Sequence, residues 1–73
     1  MKTLADLPVG QQATITEVSG TDGVAVRIGE MGLVAGTIVT AVGAAPWGDP
    51  LEFEVRGFRL SLRKSEAARV HIS

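Results

Sequence analysis

Few side chains in this 73-residue sequence could carry chemistry of their own. The single histidine, His71, lies between Val70 and Ile72 in a segment that alternates apolar and polar residues. General acid–base catalysis needs a group of perturbed pKa held in a cleft. A histidine on the outward face of a short strand is expected to be a plain surface residue. The serines have no base beside them, and Gly20 and Gly23 are not followed by the lysine of a phosphate-binding loop. Cysteine is absent, which removes disulfides, thiolate-bound zinc, iron–sulfur clusters and a thiol nucleophile together. One imidazole and scattered acids do not build a transition-metal site. Asp22, Glu30 and Asp49 are better read as a helix cap, an ion-pair partner and a turn residue. No enzymatic activity and no cofactor are expected.

Binding is a different matter. Trp47 sits in the run Ala45-Pro46-Trp47-Gly48-Asp49-Pro50, where two prolines stiffen the loop and Gly48-Asp49 can turn it. A tryptophan at such a tip either folds back over the domain or meets a partner, where this residue is a favoured anchor. Arg56, Arg59 and Arg63 are expected on one outward face with Glu52 and Glu54 between them. Salt-bridged, solvated faces of this kind are ordinary and contribute little. An electrostatic docking patch is the sharper reading.

The elements that must position these residues are short. Thr3 and Asp6 form a compact capping box for one helical turn over Leu4 to Leu7, stopped by Pro8 and Gly10. Gln12 to Ser19, rich in Thr, Ile and Val, reads as a strand ended by Gly20. Asp22 caps a helix in which Val24, Ile28 and Met31 share the inner face, with Arg27 and Glu30 placed for a weak ion pair. Gly32 suits a left-handed C-terminal cap, with Leu33 folding back as its apolar partner. Thr37 to Val42 is β-branched or small on both parities, as in a strand covered on both faces or bent in a barrel.

The clearest pattern is a hairpin. Leu51, Phe53 and Val55 alternate with Glu52, Glu54 and Arg56, and Phe58, Leu60 and Leu62 alternate with Arg59, Ser61 and Arg63. A turn at Arg56-Gly57 sets Val55 opposite Phe58, Phe53 opposite Leu60 and Glu54 opposite Arg59. Slipping the register by two residues keeps the faces but sets Arg56 against Arg59. Ser65 is placed to cap one turn over Glu66 to Ala68, and Arg69 to Ser73 forms a last strand. The expected fold is mainly β, about five strands with one or two short helices, closed into a small barrel because an open sheet leaves bare edges.

The bulk properties agree. The length allows one domain over residues 1–73, burying only about 60% of its unfolded surface. Hydrophobic residues form 45% of the chain and the formal net charge is −1, so a basic nucleic-acid footprint is not expected. No apolar run approaches the roughly 20 residues of a membrane helix. The N-terminal Met1-Lys2-Thr3-Leu4-Ala5-Asp6 meets an acid and then Pro8 before a signal-like stretch develops. A cytoplasmic protein without membrane insertion is the expectation.

Four segments in order resemble the FeoA family, small bacterial accessory proteins of ferrous iron uptake. They are Leu7-Pro8-Val9-Gly10, the Arg27 to Gly36 element with Met31-Gly32-Leu33 at its centre, the Ala45 to Pro50 loop, and Arg56 to Ala67. Gly29 and Ala35 depart from the family pattern, which commonly has a larger residue at the first and proline at the second. The resemblance implies an SH3-like barrel associated with iron transport and transition metal ion binding. It also implies a partner, the cytosolic part of FeoB, the membrane transporter that carries a GTPase domain. Contact is expected through Arg27, Glu30, Met31, Leu33, Trp47, Asp49, Arg56, Arg59 and Arg63, with an arginine supplied to the GTPase as one form of it. A generic small-barrel adaptor for a proline-rich peptide is the alternative, and it wants more aromatic residues than one Trp and two Phe.

Overall fold

The computed structural model describes residues 2–73. Its six strands are β1 (Lys2–Thr3), β2 (Gln12–Val18), β3 (Ile38–Ala44), β4 (Leu51–Val55), β5 (Phe58–Leu62) and β6 (Val70–Ile72). All pairings are antiparallel, in the order β1-β6-β2-β3-β4-β5. The two-residue β1, aligned with Ile72 and His71, was not expected from a sequence that offers only three residues before the Leu4–Asp6 3-10 helix. The capping box there runs through Asp6, whose carboxylate accepts from the Thr3 N–H and hydroxyl at 3.0 and 3.2 Å.

β2 belongs to two ladders. Its first half, Gln12 to Thr14, pairs with β3, and its second half, from Ile15 to Val18, pairs with β6. The register shifts between Ile15 and Glu17, so Thr16 and Glu17 are both exposed. A bulge of this kind bends a strand and increases its twist. The second bulge, between Ala41 and Gly43, bends β3 against β4. This is the bent form of the β3 segment, not the doubly covered one: Val39 and Ala41 are buried while Ile38 is exposed.

The sheet curls without closing, which corrects the expected barrel. Among the described residues β1 and β5 remain the two ends of the ladder. The helix α2 (Lys64–Ala67) packs against both β5 and the 3-10 helix, filling the space a closing ladder would need. The apolar core lies inside the curl and is built from Leu4, Ile15, Val39, Phe53, Val55, Leu62, Val70 and Ile72, with Ile28 of α1 (Gly23–Glu30) and Leu33 just beyond it closing the core.

α1 starts and stops as its sequence dictates. Asp22 accepts from the Ala25 N–H at 3.2 Å, satisfying one of the free amides of the first turn. At the other end Gly32 has φ +90°, the Gly32 N–H donates to Gly29 O, and the Leu33 N–H donates to Ile28 O. Those two bonds form a Schellman cap, and they turn Leu33 into the core. The hairpin β4–β5 has the expected register throughout, with Arg56 and Gly57 both at positive φ as a type I′ turn requires.

Candidate functional site

α2 gathers much of the polar detail. Its cap is Arg63 rather than the expected Ser65, and Glu66 Oε1 accepts from the Arg63 N–H at 2.9 Å. Glu66 is nearly buried, and its other oxygen pairs with the Arg27 guanidinium from α1. Arg27 therefore does not pair with Glu30. A partly desolvated carboxylate holds a cation better than an exposed one three residues along a helix. Asp49 also serves α2: its Oδ1 accepts from the Lys64 N–H at 3.0 Å, so the Trp47 loop is tied to the helix start.

Around this junction lies an open groove of about 400 Å3, floored by Met31, Pro50 and Leu62 and edged by Arg27, Arg63 and Glu66. A second depression of about 250 Å3, lined by Asp49, Pro50 and Arg63, adjoins it through the shared residues. Trp47 stands on the loop beside it with 92% of its surface exposed, which decides between the two readings of that side chain: it is presented. The neighbouring Gly48 faces the Lys64 ammonium, which would lie 3.6 Å from an added Cβ.

The remaining expected contact residues spread over the molecule. Arg56 turns away from the hairpin's outer face and donates from Nη2 to Thr37 Oγ1 at 3.4 Å, over the α1 exit. Its neighbour Gly57 carries the turn, so Arg56 is not in the alternating ladder that would have aimed it outward. Arg59 does lie opposite Glu54 in the hairpin, as expected. Arg63 is at the far end beside Pro50, so the three arginines do not share one patch. Leu33 is fully buried and offers no surface to a partner. Glu30 is exposed. Phe58, expected inward by alternation, is 52% exposed because the core ends before the turn.

His71 also differs from the plain surface residue expected. It is half-buried between β1 and β2, opposite Thr3 and Glu17, and its Nε2 is hydrogen-bonded to the Ser19 hydroxyl. Its Nδ1 is buried with no partner among the described residues. Nothing in the primary sequence places Ser19 beside His71, since the contact spans 52 residues and depends on the β2–β6 register. At the α1 start, Arg69 donates to both Asp22 oxygens at 2.5 and 2.9 Å. This bond, with that from Ala25, holds the Asp22 carboxyl down at about 2, and the same contact raises the Arg69 guanidinium. Among the described residues no group of three or more His, Cys, Asp or Glu converges as a metal site would require.

The model of the FeoA domain matches residues 2–73. The chain belongs to the FeoA family. FeoA relatives agree with that in sequence and in shape. A fusion of Fe(2+) transport protein A with the Fe(2+) transporter FeoB from Porphyromonas gingivalis is 38% identical over 69 residues, 94% of this chain. The chain spans only 8% of that fusion protein's length. The crystal structure of FeoA from Stenotrophomonas maltophilia, an SH3 domain protein complexed with zinc, is 36% identical with a TM-score of 0.88, covering 100% of this chain and 91% of its own. A FeoA-like protein of Clostridium acetobutylicum is 34% identical with a TM-score of 0.90, covering 97% and 83% respectively. The FeoA family is linked to ferrous iron transport by the names of these relatives, and the fold of this chain is the SH3-like one, with six strands and two α-helices among the described residues.

Proposed function

We propose that this chain is a non-enzymatic accessory of ferrous iron uptake that works in the cytoplasm by binding the cytosolic part of a FeoB-type GTPase transporter and changing its activity. The observation that carries the proposal is the Porphyromonas gingivalis fusion, in which a segment 38% identical to this chain is covalently part of a Fe(2+) transporter. Fusion fixes two modules at high effective concentration, an arrangement suited to modules that contact each other. The surface supports a binding role: an open groove beside an exposed tryptophan rather than an enclosed cleft holding titratable groups. The mechanism is a population shift, in which the module binds one state of the transporter better than another. A proline-rich peptide is a poorer fit. Its recognition needs an aromatic-lined groove, whereas Phe53 is buried and neither Trp47 nor Phe58 lines the groove.

The test is binding to the full-length transporter in detergent and to its soluble GTPase domain, with GTP turnover measured in each mixture. Binding to either, with a changed turnover, is the expected result. No binding to the full-length transporter, together with unchanged iron uptake when this chain is deleted, would overturn the proposal.

A further inference from the structure

We infer that the groove between α1, α2 and the Trp47 loop is the docking site, and that it receives a segment of the partner carrying an apolar side chain flanked by carboxylates. The inference rests on the accessory function proposed above and gives it a place and a ligand chemistry.

The floor selects the apolar side chain. Met31 and Pro50 present hydrocarbon there above the buried Leu62, and Met adapts to the shape of what enters. About 400 Å3 lies within the range of small-ligand pockets, but the groove is open, so it suits side chains projecting from a surface rather than an enclosed metabolite. Trp47 extends the same site outward. It is tied to the groove through Asp49, which bonds the Lys64 N–H, and through Pro50, which lines it.

The rim selects the carboxylates. Both acids at the site are already engaged by backbone amides: Glu66 by Arg63 and Asp49 by Lys64, with Glu66 further paired to Arg27. Among the described residues the ion pairs are Arg27–Glu66 and Arg69–Asp22, so Arg63 and Lys64, both exposed, have no carboxylate partner. Lys2, Arg56 and Arg59 have no ion pair either, but Arg63 and Lys64 are the two that adjoin the Trp47 loop, Arg63 at Pro50 and Lys64 at Gly48. Trp and Arg are the residue types that dominate binding hot spots. Two cations at this groove are too few for a nucleic-acid footprint, where affinity comes from many phosphate contacts.

The experiment measures affinity for the full-length FeoB transporter with the whole chain as wild type, Trp47→Ala, the double variant Arg63→Glu/Lys64→Glu, and Lys2→Glu, on the far depression beside Asp6, as an off-site control. Each substituted side chain is exposed, and thermal unfolding confirms that the variants fold. The expected losses are on the order of tenfold or more for the tryptophan and the double variant, with the control within about twofold. Wild-type affinity is expected to fall with added salt, and the double variant to lose that dependence. If wild type binds and both groove variants bind as well as it does, the groove is wrong and the accessory function stands. If wild type does not bind the transporter, and deleting this chain leaves iron uptake unchanged, the accessory reading fails. The groove is then judged by amide shifts with an acidic peptide, Asp-Leu-Glu-Leu-Asp, against its Asn/Gln isostere. Shifts centred on Met31, Arg63, Lys64 and Trp47 with the acidic peptide alone support it, and equal or absent shifts overturn it. A blue shift of Trp47 emission with anionic phosphatidylglycerol vesicles, abolished in the double variant, would assign the groove to lipid instead.

Discussion

Gly29 and Gly32 are three residues apart and have opposite requirements. Gly32 holds φ +90° at the α1 exit, a conformation that costs an L-residue about 1 kcal/mol or more. Gly29 lies within α1, and a Cβ added there meets nothing within 4 Å. Gly32→Ala should therefore destabilise by about 1 kcal/mol, and Gly29→Ala should stabilise by about 0.4–1 kcal/mol. Urea unfolding of the two variants checks both signs at once. The added Cβ at position 32 would lie 3.5 Å from Arg56 Nη1, an ordinary contact, so any loss there reports the backbone. Asp22 gives a pH signature at the same scale. Its folded pKa is depressed to about 2, so its carboxylate contributes stability above its unfolded value near 3.8, and that contribution vanishes as pH falls through about 2. Asp22→Asn keeps an N-cap oxygen but removes the charge. It should be less stable than wild type at pH 6 and match it near pH 2, measured by urea midpoints; a constant gap across that window would contradict the assignment.

At the scale of elements, what was legible followed the range of the interactions. The hairpin β4–β5, the α1 cap at Asp22 and the Schellman exit at Gly32 are set by residues within a few positions of one another, and their register and ends match the sequence reading. The cap of α2 was missed, because Ser65 is the better cap by type while Glu66 three residues beyond Arg63 fixes the start there. The partner of Arg27 was missed because Glu66 is 39 positions away and only the packed fold brings it near. The candidate site was half legible for the same reason: Arg27, Met31, Arg63 and the Trp47–Pro50 loop were named, but Glu66 and Lys64 join them only through tertiary contact. The α2 junction predicts a graded response. Glu66→Gln retains an acceptor for the Arg63 N–H and should cost about 1 kcal/mol or less. Glu66→Ala removes that bond and the Arg27 pair together and should cost about 1–3 kcal/mol. Amide exchange at Arg63, which should accelerate in the alanine variant and change little in the glutamine one, separates the two contributions.

For the whole molecule the governing fact is a small core inside an open, curled sheet. The sheet's edges were not legible, since the closing helix α2 occupies a gap that alternation along single strands says nothing about. A chain of 73 residues has a stability of roughly 4–11 kcal/mol by the usual per-residue range. Phe53 is the largest fully buried side chain and lies at the centre of that core, so Phe53→Ala should cost about 3–5 kcal/mol, a large part of the total. Phe58, 52% exposed beside the turn, has little to lose, and Phe58→Ala should cost about 1 kcal/mol or less. Calorimetry should find Phe58→Ala melting cooperatively near wild type and Phe53→Ala with its transition strongly lowered or lost. Similar melting points for the two would mean that β4 and β5 contribute equally to one core, which the burial of one phenylalanine and the exposure of the other contradict. Because Phe58 is at the hairpin tip and Trp47 is in the β3–β4 loop, neither exposed ring is needed to hold the sheet together. An aromatic residue that the fold does not need to bury, placed beside unpaired cations, is free to contribute its burial energy to a contact with another molecule. That condition is met at Trp47 with Arg63 and Lys64.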